Sequence, residues 1–235
     1  MRPFIVIGNW KMNVVDPTPF PACLHAHTGN RTIGLAMPFT SLHHNIHPLR
    51  KGAQTVHHQP KGAFTGEISA EMLKSTGCHF VIVGHSERRH GVKEECFEER
   101  CRRAAEAGLQ IVFCVGETES EYEGGLTNWV IRQQLDDLIS VLRDCKGVKV
   151  WVAYEPVWAI GTGKAATPEQ ANSVHSYIKA VMSMGSCIDV LVLYGGSVTA
   201  DNAQTLANQP HIDGFLVGGA SLNVESFGKI CAVSP

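Results

Sequence analysis

A few polar residues stand at the ends of apolar runs, and their types are those of proton transfer and anion binding. Phe4–Ile7 runs into Asn9 and Lys11, an amide and a cation. Phe80–Val83 runs into His85 and Glu87, and Val148–Tyr154 runs straight into Glu155. Two later runs end in glycine turns, Gly195-Gly196-Ser197 and Gly218-Gly219, where the missing Cβ lets backbone N–H groups come close to an anion. Taken singly, Lys11 also reads as a solvated loop lysine and His85 as the cap of a helical turn. Glu155 is harder to reduce, because a carboxylate between Val-Trp-Val-Ala-Tyr and Pro156 is a poor surface filler. The connection Pro156–Ala166 carries Trp158, Ile160 and two glycines, Gly161 and Gly163. It reads as a lid, since its apolar groups are costly unless the loop closes over a site and excludes water.

These residues need a frame that brings them together. Eight candidate strands run along the chain: Phe4–Ile7, Thr32–Met37, Gln54–His57, Phe80–Val83, Gln110–Val115, Val148–Tyr154, Val190–Tyr194 and Gly214–Val217. Gln54–His57 is the weakest, being polar on both sides. Most of the others are continuously apolar, the pattern of strands covered on both faces of a parallel sheet. Thr167, Pro168 and Gln170 form a T-P-x-Q start for a helix running to Met184, with Gly185 as its stop. Phe97–Ala107 and Asn128–Leu142 also read as helices. Pro17, Pro19 and Pro21 forbid a regular helix through their own positions, so any first helix is short or late. Strand then helix, repeated about eight times, predicts an α/β fold: one (βα)8 barrel domain over residues 1–235, with a closed eight-stranded parallel sheet and trimmed early helices. An open doubly wound sheet would want G-x-G-x-x-G after the first strand, which is absent. In such a barrel the active site lies at the carboxyl ends of the strands, where the polar residues stand.

Composition narrows the partners. Twenty basic and 22 acidic residues give a formal charge of −2, which removes the electrostatic case for nucleic acid or an anionic membrane. Anion binding must then be local. Eight cysteines without a C-x-x-C pair are too dilute for a disulfide scaffold and read as mostly buried, reduced thiols, which favours a cytoplasmic setting. The apolar start is too short and wrongly flanked for a signal peptide, and no run approaches the roughly 20 residues that span a bilayer.

Five strings carry a resemblance: Asn9-Trp10-Lys11-Met12-Asn13, Gly84-His85-Ser86-Glu87-Arg88-Arg89, Tyr154 to Lys164, Tyr194-Gly195-Gly196-Ser197-Val198 and Leu216-Val217-Gly218-Gly219-Ala220-Ser221-Leu222. In this order they look like the triosephosphate isomerase family, from first strand to last helix. The resemblance implies interconversion of dihydroxyacetone phosphate and glyceraldehyde 3-phosphate, in glycolysis and gluconeogenesis, with no metal or organic cofactor. It puts the base on Glu155, a neutral donor imidazole on His85, an electrostatic and hydrogen-bonding pair on Lys11 and Asn9, and the lysine's carboxylate partner on Glu87. This family is itself the usual illustration of such pKa tuning and of lid closure. Phosphate would be held by N–H groups at Gly161, Ser197, Gly218 and Gly219. Tyr194 and Ser197 would bond the closed lid near Ala166 and Gly163, with hinges at Pro156–Trp158 and Lys164–Ala166. Gln54–Glu67, with Phe64, Thr65, Gly66 and Glu67 near its end, would be the loop that enters a partner subunit in a homodimer. Three features depart from the family's pattern: a short, proline-rich stretch from Asn13 to Ala53, His90-Gly91-Val92-Lys93-Glu94 after the arginine pair, and Thr55 in place of an asparagine. The histidines at 43, 44, 47, 57 and 58 read as a solvent-exposed polar patch rather than a metal site.

Overall fold

The structure, a computed structural model, describes residues 2–24, 31–145, 147–160, 166–186 and 188–235. Eight parallel strands close on one another in sequence order: β1 (Phe4–Asn9), β2 (Arg31–Met37), β3 (Arg50–Ala53), β4 (Phe80–Val83), β5 (Gln110–Val115), β6 (Val150–Tyr154), β7 (Leu191–Tyr194) and β8 (Gly214–Val217). β8 returns to β1 through the register Ile5↔Gly214 to Gly8↔Val217, which completes the barrel. The helices are α1 (Pro19–Leu24), α2 (Ala70–Ser75), α3 (Phe97–Glu106), α4 (Glu119–Glu123), α5 (Thr127–Asp144), α6 (Pro168–Ser186), α7 (Ala203–Ala207) and α8 (Val224–Ala232). Between β2 and β3 the described chain makes only a short 3-10 turn, Phe39–Ser41.

The continuous apolar runs have the expected cause, because each strand buries both faces. Ile5 and Ile7 of β1 join Ile82, Val112, Ala153, Leu193 and Leu216 inside the barrel. Phe4 and Val6 point the other way, into the larger core between sheet and helices with Val81, Phe113, Val152 and Phe215. The period-2 alternation is therefore real but hidden from a polarity pattern.

Three expectations needed correction. The third strand is Arg50–Ala53, not Gln54–His57, which forms the loop just beyond it. Arg50 and Lys51 disguise the strand, and Gly52 has no side chain because the Phe80 ring of the neighbouring strand fills its place, 2.2 Å from where a Cβ would stand. Pro19 and Pro21 lie inside α1 rather than excluding it, since both fall in its first turn, where N–H groups have no intrahelical partner. Helix α6 passes through Gly185 to Ser186. This glycine is a contact and not a stop: a Cβ there would lie 2.7 Å from Ile139 of α5. The start of α6 is as predicted, with Thr167 N–H donating to Gln170 Oε1 at 2.9 Å and Gln170 N–H to Thr167 Oγ1 at 3.2 Å.

Candidate active site

A cavity of about 370 Å³ opens at the carboxyl ends of the strands. It is lined by Asn9, Lys11, His85, Glu87 and Glu155 together with Ser197, Gly218 and Gly219. Residues from five strand ends, spread from position 9 to 219, thus meet in one place. Gly161 and Gly163 lie outside the described residues. Tyr194 and Ala166 are buried beside the cavity rather than lining it.

Glu155 follows β6 directly, and its backbone N–H continues the ladder to Val115 O at 2.8 Å. Gly116 makes this approach feasible, since a Cβ there would stand 1.7 Å from the Glu155 carbonyl oxygen. The Glu155 carboxylate is buried, with one oxygen 2.9 Å from His85 Nε2 and the other accepting from Ser86 N–H at 2.9 Å. On the far side of the imidazole, Glu87 N–H points at Nδ1 from 3.2 Å. An accepting Nδ1 puts the ring proton on Nε2, so His85 is set up to donate toward the cavity.

Burial is the largest influence on both Glu155 and His85 and opposes charge on each. For Glu155 it is outweighed by the His85 imidazole, the Ser86 N–H and Lys11, and the carboxyl lies below the usual range. For His85 the adjacent carboxylate outweighs burial and moves the imidazole above its ordinary value, although imidazolium would have to turn an Nδ1–H against the Glu87 amide. The raised value is thus tied to Glu155 staying where it is.

Lys11 adopts a left-handed backbone, φ 50°, uncommon for a residue with a side chain. Two side chains hold it there: Asn9 Oδ1 accepts from its N–H at 3.1 Å, and Gln54 Nε2 donates to its carbonyl at 2.9 Å. Its ammonium then reaches Glu87 at 2.5 Å, while its Cε lies 3.5 Å from where a Cβ on Gly218 would be. The cation therefore sits between a carboxylate and the glycine turn after β8. That turn is closed by Ser221, whose N–H donates to Gly218 O at 2.8 Å and whose hydroxyl does so at 2.7 Å.

The first end of the segment expected to act as a lid is anchored by Glu117, which is fully buried after β5. Its carboxylate accepts from Trp158 Nε1 at 2.9 Å and from Tyr154 hydroxyl at 3.0 Å, and its carbonyl accepts from Val157 N–H. The Trp158 ring stacks on Tyr122 at 4.4 Å. Burial raises the Glu117 carboxyl despite these bonds. Burial pushes the Tyr194 hydroxyl up to about 12, and this buried oxygen has no hydrogen-bond partner among the described residues. Glu117 and Gln54 were missed in the sequence: Glu117 stands two residues past the apolar run Gln110–Val115, a signal that was there, whereas Gln54 was hidden by placing the third strand over it.

The loop Gln54–Glu67 is tied down by a second buried carboxylate. Glu94 accepts from Thr55 hydroxyl, Arg88 and Arg100, at 2.9, 2.8 and 2.9 Å. Phe64, 41% exposed, packs on the His57 ring at 4.3 Å, and Thr65, Gly66 and Glu67 are exposed. The histidines accordingly do not form one solvated patch: His43 and His47 are exposed, whereas His57 is buried under Phe64. Its ring offers the phenyl group a flat partner that loop backbone alone would not.

A model of the family described as triosephosphate isomerase matches residues 4–234. Proteins named triosephosphate isomerase from Bordetella pertussis, Acidithiobacillus ferrooxidans and Taenia solium are 45%, 43% and 44% identical to this chain. The first two alignments cover 98% of this chain and 97% and 96% of the relative, and the third covers 94% of each. With the closed barrel, the converging rim and this end-to-end likeness, the chain belongs to the triosephosphate isomerase family and is an isomerase.

Proposed function

We propose that this single-domain chain interconverts dihydroxyacetone phosphate and D-glyceraldehyde 3-phosphate through an enediolate, as a step of glycolysis and gluconeogenesis in the cytoplasm. The observation that carries this reading is the His85–Glu155 contact of 2.9 Å in a cavity that also holds Lys11. Glu155 is the base: ionised and poor in water, it takes a carbon-bound proton from the substrate and returns it to the neighbouring carbon. His85 donates Nε2–H to the developing oxyanion, and Lys11 and Asn9 supply charge and an amide beside it. Once Glu155 turns from His85 to the substrate, the influence raising the imidazole weakens and burial remains, which favours the neutral donor. Glu87 holds the lysine in place.

Phosphate is bound by N–H groups at Gly161, Ser197, Gly218 and Gly219, with Lys11 adding charge; no excess of basic residues is needed. The lid Pro156–Ala166 closes over the intermediate and keeps water out. Tyr194 and Ser197 support the closed form near Ala166 and Gly163, and the buried Tyr194 hydroxyl, which has no hydrogen-bond partner among the described residues, is in keeping with that role. A homodimer forms through Gln54–Glu67, an arrangement supported by the exposed Phe64 and by exposed Met12 and Val14 beside Lys11. The seven described cysteines are all free thiols, in keeping with a reducing compartment.

A coupled assay started with glyceraldehyde 3-phosphate tests the reaction. Turnover far above the uncatalysed rate, abolished by 2-phosphoglycolate, is the expected result. An inactive protein whose melting temperature 2-phosphoglycolate leaves unchanged would remove both the reaction and the site. Sedimentation at micromolar concentration tests the dimer, and a species of one chain's mass would exclude it.

A further inference from the structure

The amino end of the barrel, opposite the catalytic rim, holds a second cavity of about 270 Å³. Arg50, the first residue of β3, and Gln110, the first of β5, line it together with His79 and Lys149, which immediately precede β4 and β6. None of the described residues lining it is acidic. A neighbouring depression does contain a carboxylate, Glu106, but Arg103 already holds it at 2.6 Å.

Arg50 is the unusual member. Two arginines at or just before other strand starts have their donors taken up: Arg2 by the carbonyls of Ala207, Gln209 and Pro210, and Arg31 by the carbonyls of Cys231 and Ala232 and the Ser234 hydroxyl. Arg50 instead lies over the Trp151 ring, 5.7 Å from its centre, with no hydrogen-bond or ion-pair partner among the described residues. Its Nε is buried and unpaired. A donor in that position is costly unless something accepts from it. Burial lowers the Arg50 guanidinium and no carboxylate offsets it.

His79 and Lys149 complete the picture. His79 Nδ1 accepts from Lys51 N–H at 3.2 Å, which leaves Nε2–H as the donor of that ring. The charged groups acting on His79 are cations throughout, Arg50, Lys74 and Lys51. The Lys149 side chain has no partner among the described residues, and it is exposed at the cavity's edge. A guanidinium whose donors are not taken up by the protein is a planar fork, the geometry that suits a phosphoryl group.

We infer that this cavity is a second oxyanion site, which takes the phosphoryl group of free phosphate or of a small phosphate ester between Arg50, His79 and Lys149. It is independent of the catalytic rim, because the two lie at opposite ends of the same strands. A plug of the barrel floor would need the arginine over Trp151 alone, without the unpaired donor or the accompanying cations.

The test reads Arg50 itself. In ¹⁵N-labelled full-length protein at low ionic strength, the Arg50 Nε–Hε cross-peak is identified by its loss in Arg50→Lys. Inorganic phosphate should move that peak saturably in the low millimolar range, whether or not 2-phosphoglycolate is present at saturation. Chloride at matched ionic strength should leave it in place. Glycerol 2-phosphate is titrated in parallel: tighter binding than phosphate assigns the site to an ester, and weaker binding assigns it to the free ion. Lys149→Met, an exposed change that spares the fold, should weaken phosphate at least threefold while kcat/KM and the melting temperature stay as they are. Should Arg50→Lys fail to fold, that loss of affinity, measured by calorimetry with the rim blocked, decides the matter. A peak that moves no further with phosphate than with chloride, or a Lys149→Met protein that binds phosphate as tightly as the parent, overturns the inference.

Discussion

His85 Nε2 and Glu155 Oε1 lie 2.9 Å apart across the ends of β4 and β6, two strands separated in the barrel by β5. Among the described residues, the contact ties the one buried carboxylate lining the cavity to the one imidazole lining it. Removing the carboxylate charge while keeping its shape should therefore stop turnover without unfolding the protein. Glu155→Gln is expected to lower kcat at least ~100-fold, the scale of a lost general base. Circular dichroism melting should stay near that of the parent, and a smaller kinetic loss would take the base role away from Glu155.

The same contact sets a pH dependence. Glu155 has a lowered folded pKa, so its pairing stabilises the protein above the unfolded value of about 4.3 and is lost as pH falls through the lower folded value. In His85→Gln the imidazole is gone but burial stays, and the carboxyl should titrate higher. Carboxyl ¹³C shifts, with the resonance assigned by its loss in Glu155→Gln, measure this, and an unchanged or lower midpoint in the variant would contradict it.

Trp158 Nε1 donates to the buried Glu117, a bond that holds the first end of the proposed lid in the position described. Trp158→Phe keeps the ring stacked on Tyr122 and deletes the donor. If the lid leaves this anchor when ligand binds, the open form alone is weakened, and 2-phosphoglycolate should bind several-fold more tightly. A hydrogen bond to a charged acceptor is worth roughly 1.5–3 kcal/mol, enough for such a shift. Calorimetric titration showing equal or weaker affinity would mean that the bond survives closure.

Glu94 joins Thr55, Arg88 and Arg100 beneath the loop expected to enter the partner. Deleting it leaves a largely buried Arg100 without its counter-ion. Glu94→Ala should cost about 3–5 kcal/mol by the measure of broken buried pairs, and urea unfolding followed by fluorescence would show it.

His175 is fully buried between Tyr154 and Tyr194, and burial pushes its imidazole down to about 3. The unfolded chain takes up this proton near pH 6.5, while the folded one does not until about pH 3. The contribution is thus fully present above pH ~6.5 and declines as pH falls, by up to ~1.4 kcal/mol per pH unit. Urea midpoints between pH 7 and 4 should fall less steeply in His175→Asn. Parallel slopes in the two proteins would place the acid sensitivity elsewhere.

Much of this molecule is legible residue by residue. The apolar runs mark seven of the eight strands, because a strand buried on both faces needs apolar residues at every position. The T-P-x-Q start of α6 is visible because a cap is made within four residues. Polar groups at strand ends mark the rim for the same local reason. β3 was misread because Arg50, Lys51 and Gly52 owe their places to neighbours: Gly52 to Phe80, Lys51 to the carbonyls of Leu42 and Thr76. Gly185 looked like a helix stop for want of any sign of Ile139 across the helix interface.

What the sequence by itself determined is the order of elements and the inventory of chemical groups, both products of short-range pattern. Only the tertiary structure decided which groups meet. Barrel closure sets the register that brings position 85 to position 155, Gln54 to the strained Lys11 backbone, and Glu117 to Trp158. The same closure places Arg2, Arg31 and Arg50 at the opposite end and satisfies the first two, leaving Arg50 without a partner among the described residues. Partnership of that kind depends on distances between residues far apart in the chain, which no local run of amino acids encodes.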